Sequence, residues 1–417
     1  MTGKKNMYQR WIIFIISTSL FLVSQFYRAS NAVIAPLLIR DLSLDTEELG
    51  LMTASFFYAF ALTQIPVGIL LDRVGPRRTM TVLSLVAVLG AVIFAWAESF
   101  SAGIIGRVLL GIGMACNLMG TLKLLTTWFG PATFATLSGI VISIGTLGNM
   151  VAATPLVLLV QQMGWRMTFT LIAGMNLIQV VIFYAVVRDK PSEGTIPSRS
   201  SGSVRNFQDV LAGLRFLLAK KDYWFISCGA FFRYGVFAAV QTLWAGPYLI
   251  NAMGLSPLAA GNLIFLINIA LVIGGPTWGS LSDRVLKTRK GVMTGSLVLL
   301  SGSILAIALL PKGAGLPILA FLFFCFGFSA ATANVMFAHI KDLMPLELAG
   351  VALTSINFFT MLGAAVFSHG IGSLMLRFYP GAALGISAFR SAFLLCAATL
   401  LVAAFLYHFT RDAGSGK

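Results

Sequence analysis

Gly68-Ile-Leu-Leu-Asp72-Arg73-Val-Gly75-Pro-Arg77-Arg78 and Gly279-Ser-Leu-Ser-Asp283-Arg284-Val-Leu-Lys287-Thr-Arg289-Lys290 are two versions of one loop, 211 residues apart (283 − 72). Each follows one apolar run long enough to cross a bilayer and precedes another. A second pair repeats upstream: Gln25-Phe26-Tyr27-Arg28 and Ala230-Phe231-Phe232-Arg233, at an offset of 205 (233 − 28). Internal duplication of this kind marks transporters that place their site near the bilayer midplane, between the repeats.

Outward from the loops the chain is apolar. Of 417 residues 58% are hydrophobic and only 10% charged, which excludes ordinary soluble domains. A bilayer core needs roughly 20 apolar residues per crossing. Twelve windows meet that need: 11–38, 47–71, 79–97, 102–128, 134–160, 167–187, 223–250, 257–281, 291–310, 314–340, 350–374 and 384–408. The first is too long for a signal-peptide core and has no cleavage pattern. The expected fold is therefore an all-α membrane protein of twelve transmembrane helices in two pseudo-symmetric six-helix bundles, 1–187 and 223–417, joined by a polar linker over 188–222 with an amphipathic surface helix near Phe207–Leu218. Twenty of the 29 Lys and Arg fall on the side of the termini and linker, and five on the other. That bias puts both termini in the cytoplasm, in a bacterial inner membrane, and explains the net charge of +15 without nucleic acid. The four cysteines all lie in apolar runs, so no metal, disulfide or cofactor is expected. No phosphate-binding Gly-x-x-x-x-Gly-Lys loop is present, and no enzyme activity is read.

Four basic residues remain inside spans: Arg28, Arg107, Lys123 and Arg233. A charge at depth costs about 3 kcal/mol or more unless it faces protein or water. None of the 14 acidic residues falls mid-span to pair with them. An arginine without a carboxylate retains a demand for negative charge, and its planar fork holds a carboxylate or phosphate through two parallel bonds. Arg28, with Tyr27 and Asn31 near it, and Arg233, with Tyr234, Gln241 and Trp244 further along, are expected to bind the cargo. Lys123 is a third cation that either lines the cavity or snorkels to the nearer face. The plainer alternative for the arginines is that backbone carbonyls satisfy them. Arg107 and His369 are coupling candidates, and His339 lies at the end of its span.

The duplicated Gly-x-x-x-Asp-Arg loop, together with Arg107-Val-Leu-Leu-Gly111-Ile-Gly113, resembles the major facilitator superfamily over essentially the whole chain. The resemblance implies two bundles rocking about a central cavity, with Asp72, Arg73, Arg77, Asp283 and Arg284 forming conformational latches. Arg28, Arg233-Tyr234-Gly235, Ser282-Asp283-Arg284-Val285 and Asp342-Leu343-Met344-Pro345 resemble the organophosphate:phosphate antiporters, whose paired arginines bind a phosphoryl group. Tyr27-Arg28-Ala-Ser-Asn31-Ala-Val-Ile-Ala-Pro36 resembles the anion:cation symporters. The antiporters' fifth-helix histidine has no counterpart over 143–155, and the symporters' two acidic positions are Tyr27 and Met114 here. The expected function is secondary transport of a small organic anion, a carboxylate or phosphate ester, by exchange or proton-coupled symport. Protons or inorganic phosphate would be the coupling ion, the lipid bilayer the surroundings, and a monomer the working unit. The alternative is a multidrug/proton antiporter, and a further one a sensor on the same fold.

Overall fold

The computed structural model describes residues 2–129, 131–190, 213, 215–345 and 348–412. The first half runs α1 (Thr2–Ala29), α2 (Asn31–Leu42), α3 (Thr46–Arg73), α4 (Pro76–Ala95), α5 (Phe100–Met114), α6 (Asn117–Trp128), α7 (Pro131–Val151) and α8 (Thr154–Val186). The second runs α9 (Lys221–Ala239), continued by the wider turns Val240–Trp244 and Tyr248–Ala252, then α10 (Pro257–Ser280), α11 (Arg289–Leu309), α12 (Leu316–Ala330), α13 (Ala333–Leu343), α14 (Ala349–Phe378) and α15 (Ile386–His408). The amphipathic linker helix falls largely on residues 207–212 and 214, outside the described residues; 215–218 are helical.

Among the described residues eleven helices are long and apolar enough to cross a membrane, and Thr136–Val151 is a shorter apolar helix. The fifth expected window, 134–160, takes in most of the 21-residue α7 and the start of α8. The fifth is interrupted at Ala152–Ala153, and Gly164 breaks α8 with φ 75°, a left-handed angle that suits a residue without a Cβ. The first, fourth and tenth windows are also interrupted, at Ser30, Ala115–Cys116 and Ala331–Thr332.

Helix ends are fixed locally. Asp45 accepts from the Glu48 amide at 2.8 Å while the Glu48 carboxylate accepts from the Asp45 amide at 3.1 Å, a reciprocal cap on α3. Ser99, Ser256 and Thr288 cap α5, α10 and α11 in the same sense. Large apolar side chains such as Leu62, Phe321 and Phe405 remain exposed along the spans, as a surface solvated by lipid requires. The chain is an integral membrane protein.

Within the halves α4 packs on α5, α1 on α7, α10 on α12 and α11 on α15; α3 and α14 pack together across them. At the end away from Asp72 and Asp283 the halves close tightly. Thr46 Oγ1 donates to the Gly372 carbonyl (3.1 Å), and no Cβ would fit between Gly246 and the Ala32 carbonyl. Thr154 Oγ1 meets Asn262 Oδ1 at 2.8 Å. The Asp72 and Asp283 clusters, by contrast, each bond inside their own half.

Candidate functional site

Arg28 stands near the end of α1, just before the break at Ser30, and is 9% exposed. Its guanidinium lies 4.9 Å from the Phe60 ring centroid and donates through Nη1 to the Tyr234 hydroxyl of the other half (3.1 Å). Arg233 is 2% exposed and donates through Nη1 to the Ala330 carbonyl at 2.6 Å. It lies twelve residues into α9, about 18 Å at 1.5 Å per residue, because the helix begins at Lys221. Nε of each arginine is buried without a partner, and among the described residues neither forms an ion pair. An unpaired guanidinium in low dielectric attracts an anion more strongly than the same group does in water.

The other expected ligands do not gather there. Tyr27 is fully buried; its carbonyl accepts from Arg107 Nη1 at 2.9 Å. Asn31 begins α2 after the break and donates to Thr53 Oγ1 (2.9 Å), so it does not continue the face of Arg28. Gln241 donates to Asn268 Oδ1 (2.6 Å) and Trp244 Nε1 to the Ser368 carbonyl (3.0 Å), both inside the second half. Lys123, expected as a possible third cation, is drawn elsewhere: Nζ donates to the Leu71 carbonyl (2.6 Å) and pairs with Asp72 (2.5 Å). Of the expected ligands the structure brings Arg28 and Tyr234 together beside Phe60, with Arg233 one residue from Tyr234, and gives Asn31, Gln241, Trp244 and Lys123 partners elsewhere.

Two residues escaped the sequence reading. Phe60 had no signal, being one of 33 phenylalanines. Gln64, one turn further along α3, was visible as a polar residue inside an apolar run. Its Nε2 donates to the Ala115 carbonyl (3.2 Å), and its Oε1 accepts from Asn357 of the other half (3.5 Å).

The loop residues divide likewise. Asp72 pairs with Lys123, joining α3 to α6. Arg77 donates to the Tyr184 carbonyl through Nη2 (2.7 Å) and Nε (3.0 Å), while its amide donates to Asp189 (2.7 Å). Asp283 pairs with Arg289, which also reaches Asp342 at 3.4 Å. Arg73 and Arg284 are exposed. Of the coupling candidates, Arg107 is fully buried against Phe56 and Phe94, and His369 Nε2 lies 3.6 Å from Glu47 across the halves. Both ring nitrogens of His339 are engaged. Nε2 donates to the Arg411 carbonyl (2.8 Å) and Nδ1 accepts from the Tyr407 hydroxyl (2.7 Å).

A family model described as Major Facilitator Superfamily matches residues 16–368 and 226–417. The chain is 28% identical over 291 residues to the hexuronate transporter of Bacillus subtilis, covering 69% of this chain and 68% of that one. It is 25% identical over 418 residues to a probable sulfoacetate transporter of Cupriavidus necator, covering 94% and 95%. Among solved structures, the fold matches a bacterial homologue of the human lysosomal transporter Spinster, in an inward-facing and unoccupied conformation, with TM-score 0.78 at 18% identity over 96% of this chain and 97% of that one. A D-xylose-proton symporter matches with TM-score 0.78 at 14% identity over 97% and 98%.

Proposed function

The chain belongs to the major facilitator superfamily and is a transport protein, not an enzyme, and from that premise we propose that its cargo is a small organic anion held between Arg28 and Arg233. The observation that carries this reading is the absence of a carboxylate on either guanidinium among the described residues, each with a buried Nε that nothing accepts from. The named cargoes of the two relatives, a hexuronate and sulfoacetate, are themselves anions, which agrees with this charge. The anion would bridge the halves, neutralise both arginines and lower the cost of closing the halves around it. Twelve crossings, both termini in the cytoplasm and access from the Asp72 and Asp283 side complete the reading. Coupling runs by exchange or by a proton carried on the substrate.

Thermal unfolding of the purified protein with D-glucuronate, sulfoacetate, D-galactonate, a hexose phosphate and, for contrast, an apolar quaternary ammonium tests it. At least one anion should stabilise the protein, by about 2.7 kcal/mol at a hundred times its dissociation constant. Stabilisation by the cation and by none of the anions would reject the reading in favour of efflux.

A further inference from the structure

The two halves repeat their broken helices in register. α5 and α12 are each 15 residues long and stand 216 apart at both ends (316 − 100 and 330 − 114). Each stops just before a second segment, α6 or α13, that carries contacts to the duplicated loop: Lys123 to Asp72, and Asp342 to Arg289. A helix that stops leaves carbonyls without donors from its own turns.

The halves satisfy those carbonyls differently. In the first, Ser24 Oγ donates to the Met114 carbonyl (3.3 Å) and Gln64 Nε2 to the Ala115 carbonyl (3.2 Å). At the repeat offsets of 205 and 211, the second half has Gly229 and Gly275 where the first has Ser24 and Gln64. Neither has a side chain to offer. Gly229 has no room for one, since a Cβ there would lie 2.5 Å from Cδ2 of Tyr407. The donor to Ala330, the counterpart of Met114, is Arg233 itself. Arg28 has no such engagement and reaches across to Tyr234.

We propose that Arg233 converts anion binding into movement, while Arg28 only anchors the anion: without cargo Arg233 clamps the break between α12 and α13, and with cargo it releases it. This rests on the anion reading above. Arg233 is 2% exposed and holds Ala330 through Nη1 while its Nε has no acceptor; in the proposed step, an anion taken up on Nε and shared with Arg28 draws the guanidinium toward the other half and takes Nη1 off Ala330. The exchange is favourable because a carboxylate or phosphate opposes the charge of the guanidinium and accepts two parallel bonds from it, whereas the Ala330 carbonyl is neutral and accepts one. α13, with the Asp342–Arg289 contact, then swings at the break. The first half keeps Ser24 and Gln64 on its break throughout, so α6 stays held.

Backbone hydrogen exchange on the full-length protein, with and without D-glucuronate or sulfoacetate at a concentration that saturates the thermal shift, tests the asymmetry. Loss of one ordinary hydrogen bond corresponds to roughly fivefold easier local opening. Residues Ala333–Leu343 should exchange about that much faster with anion, and Asn117–Trp128 should not change. Without anion, Arg233→Gln should show the faster exchange already, and anion should add nothing. An equal response of both segments, or of neither while the melting temperature rises, would overturn the proposal. So would wild-type protection of Ala333–Leu343 in Arg233→Gln. The wild-type comparison decides the matter if that variant does not fold. Absence of any thermal shift in wild type would instead reject the anion site, and the ligand-free comparison of Arg233→Gln with wild type would still test the clamp.

Discussion

At the scale of single residues, Arg28 and Arg233 were legible because a cation in an apolar run with no acid to match is conspicuous in any sequence. Their inequality was not, since it depends on which neighbour reaches a carbonyl 97 positions away. Lys123 shows the same limit. Its stem could be read as long enough to snorkel, and its ammonium does reach the Leu71 carbonyl. The pairing with Asp72, 51 positions earlier, exists only because α3 and α6 lie side by side. Phe60 supports Arg28 through its ring face, a contact worth about 1–2 kcal/mol where water is excluded. Phe60→Leu keeps the bulk but loses that attraction, so the dissociation constant for the cargo anion should rise about fivefold. Calorimetric titration reads this, and an unchanged constant would show that the ring only fills space.

At the scale of elements, the hydropathy windows located the spans but not their interruptions. A window counts apolar residues, and the breaks at Ser30, Ala115–Cys116 and Ala331–Thr332 lie inside apolar runs. The contacts at the end away from the duplicated loops were equally hidden. There Asp41, at the end of α2, accepts from Arg40 Nε (2.8 Å), Trp165 Nε1 (2.8 Å) and Arg166 Nη1 (3.0 Å), while Arg166 Nη2 donates to the Ala97 carbonyl (3.0 Å). This ties α2 to the α4–α5 turn and to α8 just past Gly164. Desolvation pulls the Asp41 carboxyl upward, but the bonds from Arg40, Trp165 and Arg166 and the charge of Arg40 outweigh it and hold the group below the usual carboxylate range. A depressed carboxylate contributes stability that is present above its unfolded value, about 3.9, and is lost as pH falls through the folded value. Asp41→Asn should therefore melt lower than wild type at about pH 7, with the gap shrinking below about pH 4. Melting curves across that range check it, and a gap independent of pH would mean that packing, not charge, holds the corner.

At the scale of the whole molecule, the duplicated loop and the count of apolar runs were enough to reach the fold, because a bilayer leaves few architectures for a chain that must satisfy its own backbone bonds. The same loops were less informative about the latches. Asp72 and Asp283 occupy matching places, yet one pairs with a lysine on α6 and the other with Arg289 at the start of α11. The halves are drawn together by Thr46 on Gly372 and Thr154 on Asn262 at one end, and deeper by Arg28 on Tyr234. Among the described residues the Asp72 and Asp283 bonds at the other end stay within their own halves, and in the proposed reading that is the side from which cargo enters. The most direct test is a calorimetric titration of the stabilising anion into wild type, Arg28→Ala and Arg233→Ala. Each substitution removes charge-assisted bonds and should weaken binding at least about tenfold. Affinity unchanged in both variants would contradict a site built on the two arginines.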